Sequence, residues 1–440
     1  MPSDLAAVVM AAGLGTRMRS ATPKHLHRLL GRRMVDWVLE AARPLGADPL
    51  VVVCSPESRD AFEGLEVAVQ EKPLGTGDAV RSARAALDGR AADVLVLSGD
   101  TPLLTSELLR ELLETHRREG AAATVLSFSP ADTRAYGRIV RDRDGHLRAI
   151  VEAADASAQE LEIGEVNSSI YVFSGEKLWP VLDRLEPQNA QGELYLTDAV
   201  RFLVEDGDAV AVHEAGDPVE TEGVNTRAEL AAAAAALRER INEEHMLAGV
   251  TIVDPASTWI DPDVELEPDA VIQPFTILRG STRVAAGAEV GPHVVAIDAE
   301  IGPRVSVGPF AYLRPGTVVD EAAKVGTFVE LKKTHVGART KVPHLSYLGD
   351  AEVGEDTNVA AANVTVNFPH EPGMPKGRTK IGRNVRTGVQ NAFVAPVEIG
   401  DNAWVAAGSV ITEDVPSGAL AIARARQVNK EGHADRKRND

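Results

Sequence analysis

Two hydrophobic periodicities divide the chain. Up to about residue 226, short runs of Val, Leu and Ala alternate with segments whose apolar residues recur three and four positions apart. AAVVM (6–10), PLVVVC (49–54), EVAVQ (66–70), DVLVLSGD (93–100) and AATVLSF (122–128) read as buried strands, and DWVLEAARPLG (36–46) and AVRSARAALDG (79–89) as helices between them. This layout predicts an α/β domain with a mostly parallel sheet, whose ligands gather at the carboxyl ends of the strands. Three notable segments fall at such ends: AAGLGTRM, LGTGDA and SGD.

TRAELAAAAAALRERINEEH (226–245) predicts one helix leading out of this domain, opened by a Thr226/Glu229 capping box. After about residue 248 a step of six takes over. Leu266, Ile272, Leu278, Val284 and Val290 form one series, and Ile301, Val307, Leu313, Val319, Val325 and Leu331 a second. Ile381, Thr387, Phe393, Ile399, Val405 and Ile411 form a third. A strand would place apolar residues more densely and a helix would step by three or four. Six suits a prism of three flat faces per coil, with one aliphatic side chain pointing inward from each face. Frame shifts at 331–336 and 348–353, and the segment PHEPGMPKGR, predict protruding loops, where function would sit. The expected organisation is a domain over 1–226, a helical linker over 227–247, a β-helix over 248–423 and a polar tail over 424–440.

Composition narrows the function. With a net charge of −19, general attraction to nucleic acid or to an anionic membrane is not expected, and 4% aromatic residues argue against a base-stacking surface. One cysteine, Cys54, permits no intrachain disulfide and suits a reducing cytoplasm. The start, MPSDLAAVVMAAG, has no basic region and is too short to span a bilayer. The expectation is a cytoplasmic protein.

An acidic chain that handles phosphate must concentrate its cations locally. GLGTRM is neither a dinucleotide fingerprint, since Met18 takes the third glycine position, nor a P-loop, since no Gly-Lys-Ser/Thr follows. TPKHL, however, puts Lys24 seven residues beyond Arg17, within reach of one polyphosphate. LSGD ends a strand with Asp100, a hard oxygen ligand suited to Mg²⁺, and GVN supplies Asn225 as a second, neutral one. Singly, these are a surface Lys, a turn Asp and a capping Asn.

Together they resemble the sugar-phosphate nucleotidyltransferase family, whose signature is a strand followed by AAGxGTRM and then PK. The six-residue repeat is similar to the left-handed parallel β-helix of hexapeptide acyltransferases, an exception to the right-handed crossover rule. Both occur in this order in the family of bifunctional N-acetylglucosamine-1-phosphate uridylyltransferases and glucosamine-1-phosphate acetyltransferases. The implied fold is a Rossmann-like α/β nucleotidyltransferase domain plus a left-handed parallel β-helix. The resemblance implies UTP along Met10, Ala11, Ala12 and Gly13, with Arg17 and Lys24 on its phosphates. It implies Gln70, Gly75 and Thr76 at uracil, Ser98 and Gly99 among the nucleotide- and sugar-binding residues, and Mg²⁺ on Asp100 and Asn225. Gly137, Glu152, Asn167 and Asn225 would surround the sugar phosphate.

The second half carries its own cluster: Arg314 in YLRPG, Glu330, Lys332 and Lys333 in FVELKK, and His344 and Tyr347 in VPHLSYLGD. Acetyl transfer to an amine needs a base, an oxyanion donor and cations for the sugar's phosphate. His344 suits the base, Glu330 its orienting carboxylate, and Arg314 and Lys332 the phosphate. The resemblance implies Tyr347, Asn358 and Asn367 around the sugar and acetyl-CoA along Ala361, Ala407 and Arg424, between subunits of a homotrimer. The chain departs from the family stretch NIGAGTITxNYDG, reading NVAAANVTVNFPH, with Phe368 for Tyr, Pro369-His370 for Asp-Gly, and Val389 for a Ser near acetyl-CoA. Three readings follow: the bifunctional enzyme making UDP-N-acetylglucosamine; a single-activity nucleotidyltransferase with a structural or regulatory β-helix; and a non-catalytic regulatory subunit. Retention of Arg17, Lys24, Asp100 and Asn225 speaks against the third.

Overall fold

The computed structural model describes residues 3–13, 15–133, 136–369 and 373–434. It divides into two compact units, Met1–Leu237 and Arg238–Asp440.

In chain order the first unit contains β1 (Ser3–Ala11), β2 (Arg28–Leu29), β3 (Arg32–Arg33), α1 (Met34–Ala42), β4 (Leu50–Cys54), β5 (Glu66–Val69), α2 (Thr76–Ser82), α3 (Arg84–Leu87), β6 (Ala91–Ser98) and α4 (Ser106–Glu119). It continues with β7 (Ala123–Phe128), β8 (Arg138–Arg141), β9 (Leu147–Val151), β10 (Val166–Ser174), α5 (Gly175–Leu182), α6 (Leu196–Glu205) and β11 (Val210–Glu214), and α7 (Arg227–Leu247) follows. The sheet order is β11-β7-β10-β6-β1-β4-β5, with the β8–β9 hairpin attached through β10. Along this path only β10 runs antiparallel to its neighbours. Central strand β1 is apolar from Leu5 to Ala11, where both its faces are covered. Ala6, Val8 and Met10 pack with residues of α2, α5 and α6, while Leu5, Ala7, Val9 and Ala11 pack with residues of α1 and α4.

Two predicted helices differ in extent. The run 36–46 is helical only to Ala42, and Arg43–Leu45 tighten into a 3₁₀ turn with Pro44 near its start. The run 79–89 breaks at Ala83 into α2 and α3. The capping box of α7 is present: Thr226 Oγ1 accepts from the Glu229 backbone N–H at 3.2 Å, and Glu229 Oε2 accepts from that of Thr226 at 3.0 Å. The first half of α7 contributes Ala233 and Leu237 to a small core with Leu29, Met34, Leu103 and Val224.

The second unit is a stack of short parallel strands on three faces. The first face runs from Thr251–Ile252 to Leu420–Ala421, the second from Trp259–Ile260 to Val410–Ile411, and the third from Glu265–Leu266 to Val397–Ile399. This is the left-handed parallel β-helix expected from the step of six. The plug residues Ile272, Leu278, Val284, Val290, Ile301, Val307, Leu313, Val319, Val325 and Leu331 are all buried, and Leu266 in the first coil is half-buried.

The frame shifts do not mark protruding loops. From Leu331 to Val336 and from Leu348 to Val353 the chain takes five residues instead of six, turning through Lys333 and Asp350 in the left-handed region. Both are shortened corners between the second and third faces, and they keep the ladder because Glu330 still pairs with Tyr347 and His335 with Glu352. The excursion between Val366 and Thr379 leaves from the same corner; its His370, Glu371 and Pro372 lie outside the described residues. At the corner between the first and second faces, Phe275, His293, Phe310, Phe328, Leu345, Ala362 and Gln390 all have positive φ. Four of their rings stack along the axis at centroid separations of 4.7, 4.7 and 5.4 Å. In the tail, 425–430 have no regular structure, and 435–440 lie outside the described residues.

Candidate functional site

The carboxyl ends of β1 and β6 lie side by side, with Met10 opposite Ser98, so the loops that leave them must diverge around a crevice. A cavity of about 470 Å³ opens there, lined among others by Met10, Ala12, Gly13, Lys24, Gln70, Gly75, Thr76, Ser98 and Asp100. Ala11 ends β1 beneath it, and Gly99 backs onto Met10: a Cβ there would stand 2.8 Å from the Met10 carbonyl oxygen. Two further glycines have a steric cause. Gly15, at φ 59°, leaves room for Lys24, whose Cβ would lie 2.5 Å from an added Cβ. Gly75, at φ 114°, lies against the Leu194 backbone, 2.5 Å from the same hypothetical atom to the carbonyl oxygen. Gln70 fixes that turn, donating to the Gly75 carbonyl at 3.1 Å and to Asp78 at 3.0 Å.

Lys24, Asp100 and Asn225, far apart in sequence, meet at this crevice. The Lys24 ammonium pairs with Asp100 Oδ2 and donates to Asn225 Oδ1 at 3.1 Å. Arg17 donates to the same Asn225 oxygen at 3.0 Å, and Ser98 Oγ donates to Asp100 Oδ1 at 2.6 Å. Asn225 is held in turn, since its backbone N–H donates to Glu229 at 2.6 Å and the Val224 N–H to the Asp100 carbonyl at 2.8 Å. Burial opposes ionisation of Asp100, yet the adjacent Lys24 ammonium prevails and holds its pKa down to about 2. A carboxylate and an amide oxygen aimed at one cationic atom form a hard donor pair, which suits a divalent ion completed by water and phosphate.

Sequence reading missed His25. It is buried, its Nδ1 has no hydrogen-bond partner among the described residues, and burial lowers its pKa to about 4. It sits between the loops, with hypothetical Cβ atoms on Gly13 and Gly99 at 3.7 and 3.2 Å from its ring. Its only signal was its place after Lys24.

A smaller cavity of about 150 Å³ shares Met10, Thr76, Ser169 and Glu193 with the first and adds Glu152, Tyr171, Gln191 and Tyr195. Gly137 lies against the Glu152 carboxylate. Asn167 is buried beside them, its backbone N–H donating to the Gly137 carbonyl at 2.8 Å and its side-chain Nδ2 to Tyr171 Oη at 2.7 Å. Burial, followed by the nearby carboxylates of Asp155, Asp198 and Glu193, raises the pKa of Glu152, while Thr197 donates to it at 3.2 Å. Glu193 and Tyr195, in NAQGELYLTD, were not singled out from sequence.

In the β-helix, Tyr312, Glu330 and Tyr347 are stacked on the second face. Glu330 does not orient His344: its carboxylate accepts from Arg314 at 2.8 Å instead, because Arg314 lies on the adjoining coil of its own face. His344 ends the first-face strand Lys341–His344 and is exposed, and Tyr347 opens the next strand three residues on. Tyr347 Oη lies over Gly349, where an added Cβ would come within 2.2 Å of it and 2.9 Å of Asn367 Nδ2. Asn367 also donates to Asp350. Lys376, absent from the sequence reading, reaches back from the excursion to stand beside Lys332, and its ammonium lowers the Lys332 pKa. It also lies 5.6 Å over the ring of Phe368, which is otherwise exposed.

The remaining acetyl-donor candidates form a column. Gln390 N–H donates to the Ala361 carbonyl at 2.9 Å and Gly408 N–H to that of Val389 at 2.9 Å. Ala407 packs against Gly388, and exposed Arg424 lies near Gly408. The column continues the corner of His344, whose carbonyl accepts from Ala362 N–H at 3.3 Å. Asn358 bridges Lys341 and Arg386 on the first face.

An α/β nucleotidyltransferase unit followed by a left-handed β-helix is therefore the class to which fold and crevice belong. Residues 7–248 match the model of the MobA-like NTP transferase domain family. The chain is 48% identical over 459 residues to a bifunctional protein GlmU of Streptomyces coelicolor, covering 98% of this chain and 94% of that protein. It is 45% identical over 450 residues to that of Caldanaerobacter subterraneus subsp. tengcongensis, covering 98% and 97%. To that of Mycobacterium tuberculosis it is 45% identical over 465 residues, covering 99% and 93%. The chain belongs to the bifunctional GlmU family. Among the described residues no helix is long and apolar enough to cross a membrane.

Proposed function

We propose that the first unit transfers a uridylyl group from UTP to N-acetylglucosamine-1-phosphate, releasing pyrophosphate, and that the β-helix acetylates glucosamine-1-phosphate with acetyl-CoA. The observation that carries the first half is the convergence of Lys24, Arg17, Asp100 and Asn225 at the crevice. In this reading a phosphate oxygen of the sugar attacks the α-phosphorus of UTP and the bond to pyrophosphate breaks. Two anions must meet, so positioning and charge neutralisation supply the catalysis and no protein nucleophile is needed. Lys24 and Arg17 bear on the phosphates, Gln70, Gly75 and Thr76 wall the base, and Glu152, Asn167 and Gly137 hold the sugar. Mg²⁺ held by Asp100 and Asn225 would supply further positive charge against the phosphates.

In the β-helix, His344 takes the proton from the sugar's amine as nitrogen attacks the thioester carbonyl, and the coenzyme's thiol leaves. Arg314 and Lys332, joined by Lys376, form the phosphate locus, with Tyr347, Asn358 and Asn367 along the sugar. Ala361, Val389, Ala407 and Arg424 line the column for acetyl-CoA. The exposed ring column Phe275, Phe310 and Phe328 supports a homotrimer, since it is the kind of apolar strip that association buries. The small-molecule chemistry, the lone buried Cys54 and the acidic balance support a cytoplasmic setting without nucleic-acid or membrane partners.

The test supplies purified protein with UTP and a panel of sugar-1-phosphates, and separately with acetyl-CoA and glucosamine-1-phosphate. Pyrophosphate release and free thiol are read independently. Both signals are expected; thiol silence beside pyrophosphate release would leave only the first activity.

A further inference from the structure

The two oxygens of the first site are held from behind by other groups, and the ammonium that meets both arrives on a four-carbon stem. Asp100 is fixed by Ser98 through Oδ1 and by the Val224 N–H on its own carbonyl, which leaves Oδ2 to meet a cation. Asn225 is held by Glu229 through its backbone, and its Oδ1, which also accepts from the exposed Arg17 at 3.0 Å, points to the same spot. Both oxygens are therefore preorganised by groups that do not need a ligand. Lys24 packs at its root against Gly15, and among the described residues its ammonium is held only by the two site oxygens themselves, on Asp100 and Asn225. Its four-carbon stem then carries the ammonium to the two oxygens, and the same residue lines the cavity beside Gly13, Gly15 and Thr16.

We infer that Lys24 is an exchangeable cation which closes the Asp100–Asn225 pair to divalent metal until a triphosphate draws its ammonium away. This rests on the metal assignment proposed above. The physical reason is competition. A divalent ion entering the free protein must take Asp100 from a contact ammonium, in a site whose side chains are only 11% and 15% exposed. Like charges at that separation repel strongly where solvent screening is weak. A triphosphate in the adjoining loop offers Lys24 an alternative anion, so the ammonium leaves and the oxygens open together. Linkage makes the effect reciprocal: metal and triphosphate each strengthen the other's binding beyond what chelation in solution provides. The free protein thereby avoids holding a bare dication, and Asp100 is never left without a counter-charge.

The test is Mn²⁺ titration of nucleotide-free protein, with unbound Mn²⁺ read by electron paramagnetic resonance. Wild type, Lys24→Met, Lys24→Arg and the double variant Lys24→Met/Asp100→Asn are compared, with thermal melts to verify folding. Lys24→Met is expected to bind one Mn²⁺ about tenfold or more tightly than wild type. Lys24→Arg should remain as closed as wild type, and the double variant should lose the gained site. If Lys24→Met does not fold, Lys24→Gln, which keeps a polar group against Asp100, takes its place. Equal Mn²⁺ affinity in wild type and the neutral Lys24 variant overturns the exchange. A separate arm titrates UTP-loaded wild type and Asp100→Asn: unchanged protein-bound Mn²⁺ there would overturn the metal assignment itself, so the two failures are told apart.

Discussion

Glu229 accepts a hydrogen bond from the backbone N–H of Asn225 at 2.6 Å, so the residue that caps α7 also positions an oxygen of the first site. A helix terminus and a residue of the crevice thus share one carboxylate. Glu229→Ala should lower stability by about 1 kcal/mol through loss of the cap. It should also reduce uridylyl transfer, whereas a pure cap would leave kcat unchanged. Chemical denaturation and steady-state kinetics on the same preparation separate the two effects.

Lys24 is the only ammonium in contact with both Asp100 and Asn225 among the described residues. Lys24→Ala should cut uridylyl transfer by about 10²-fold or more with the fold retained. Circular dichroism and pyrophosphate release check it; near-normal turnover would remove Lys24 from the proposed mechanism.

At Gly75 the backbone has φ 114° and no room for a side chain against Leu194. Gly75→Ala should therefore destabilise the protein by about 2 kcal/mol or more and raise the KM for UTP. A melting curve together with UTP saturation kinetics provides the check.

His25 has a pKa lowered to about 4 by burial, below its ordinary 6.5. The folded form therefore binds fewer protons than the unfolded form between these values. Stability should fall as pH drops from about 6.5 towards 4, by up to about 3 kcal/mol. His25→Gln should flatten that window, as urea unfolding at pH 7 and pH 4.5 would show. An unchanged pH slope in the variant would contradict the assignment. Asp100 adds to acid sensitivity only lower down: its pKa of about 2 lies below the usual carboxylate value, so its contribution is lost as pH falls from about 4 to 2.

Lys376 and His344 are expected to separate by kinetic signature. Lys376→Ala should raise the KM for glucosamine-1-phosphate about tenfold with a smaller change in kcat, as loss of a phosphate contact would. His344→Ala should lower kcat of acetyl transfer by about 10²-fold or more. Neither should alter pyrophosphate release, and thiol release measured alongside it is the readout.

The sequence by itself determined the periodicities and hence the two folds. The buried run of β1 needs no tertiary information to be read, because burial on both faces leaves only apolar residues from Leu5 to Ala11. The step of six likewise follows from one inward side chain per face. Local chemistry was legible too: Arg17 and Lys24 are close in sequence, and the capping box of Thr226 and Glu229 is a four-residue motif. Tertiary structure decided what lies far apart along the chain. It brought Lys24 to Asn225, Tyr195 to the cavity of Glu152, and Lys376 to Lys332. It gave Glu330 to Arg314 instead of His344, because side chains on adjoining coils of one face meet while those on different faces diverge. It also turned two frame shifts into shortened corners, since a ladder of parallel strands keeps its register by trimming a turn more readily than by breaking its hydrogen bonds.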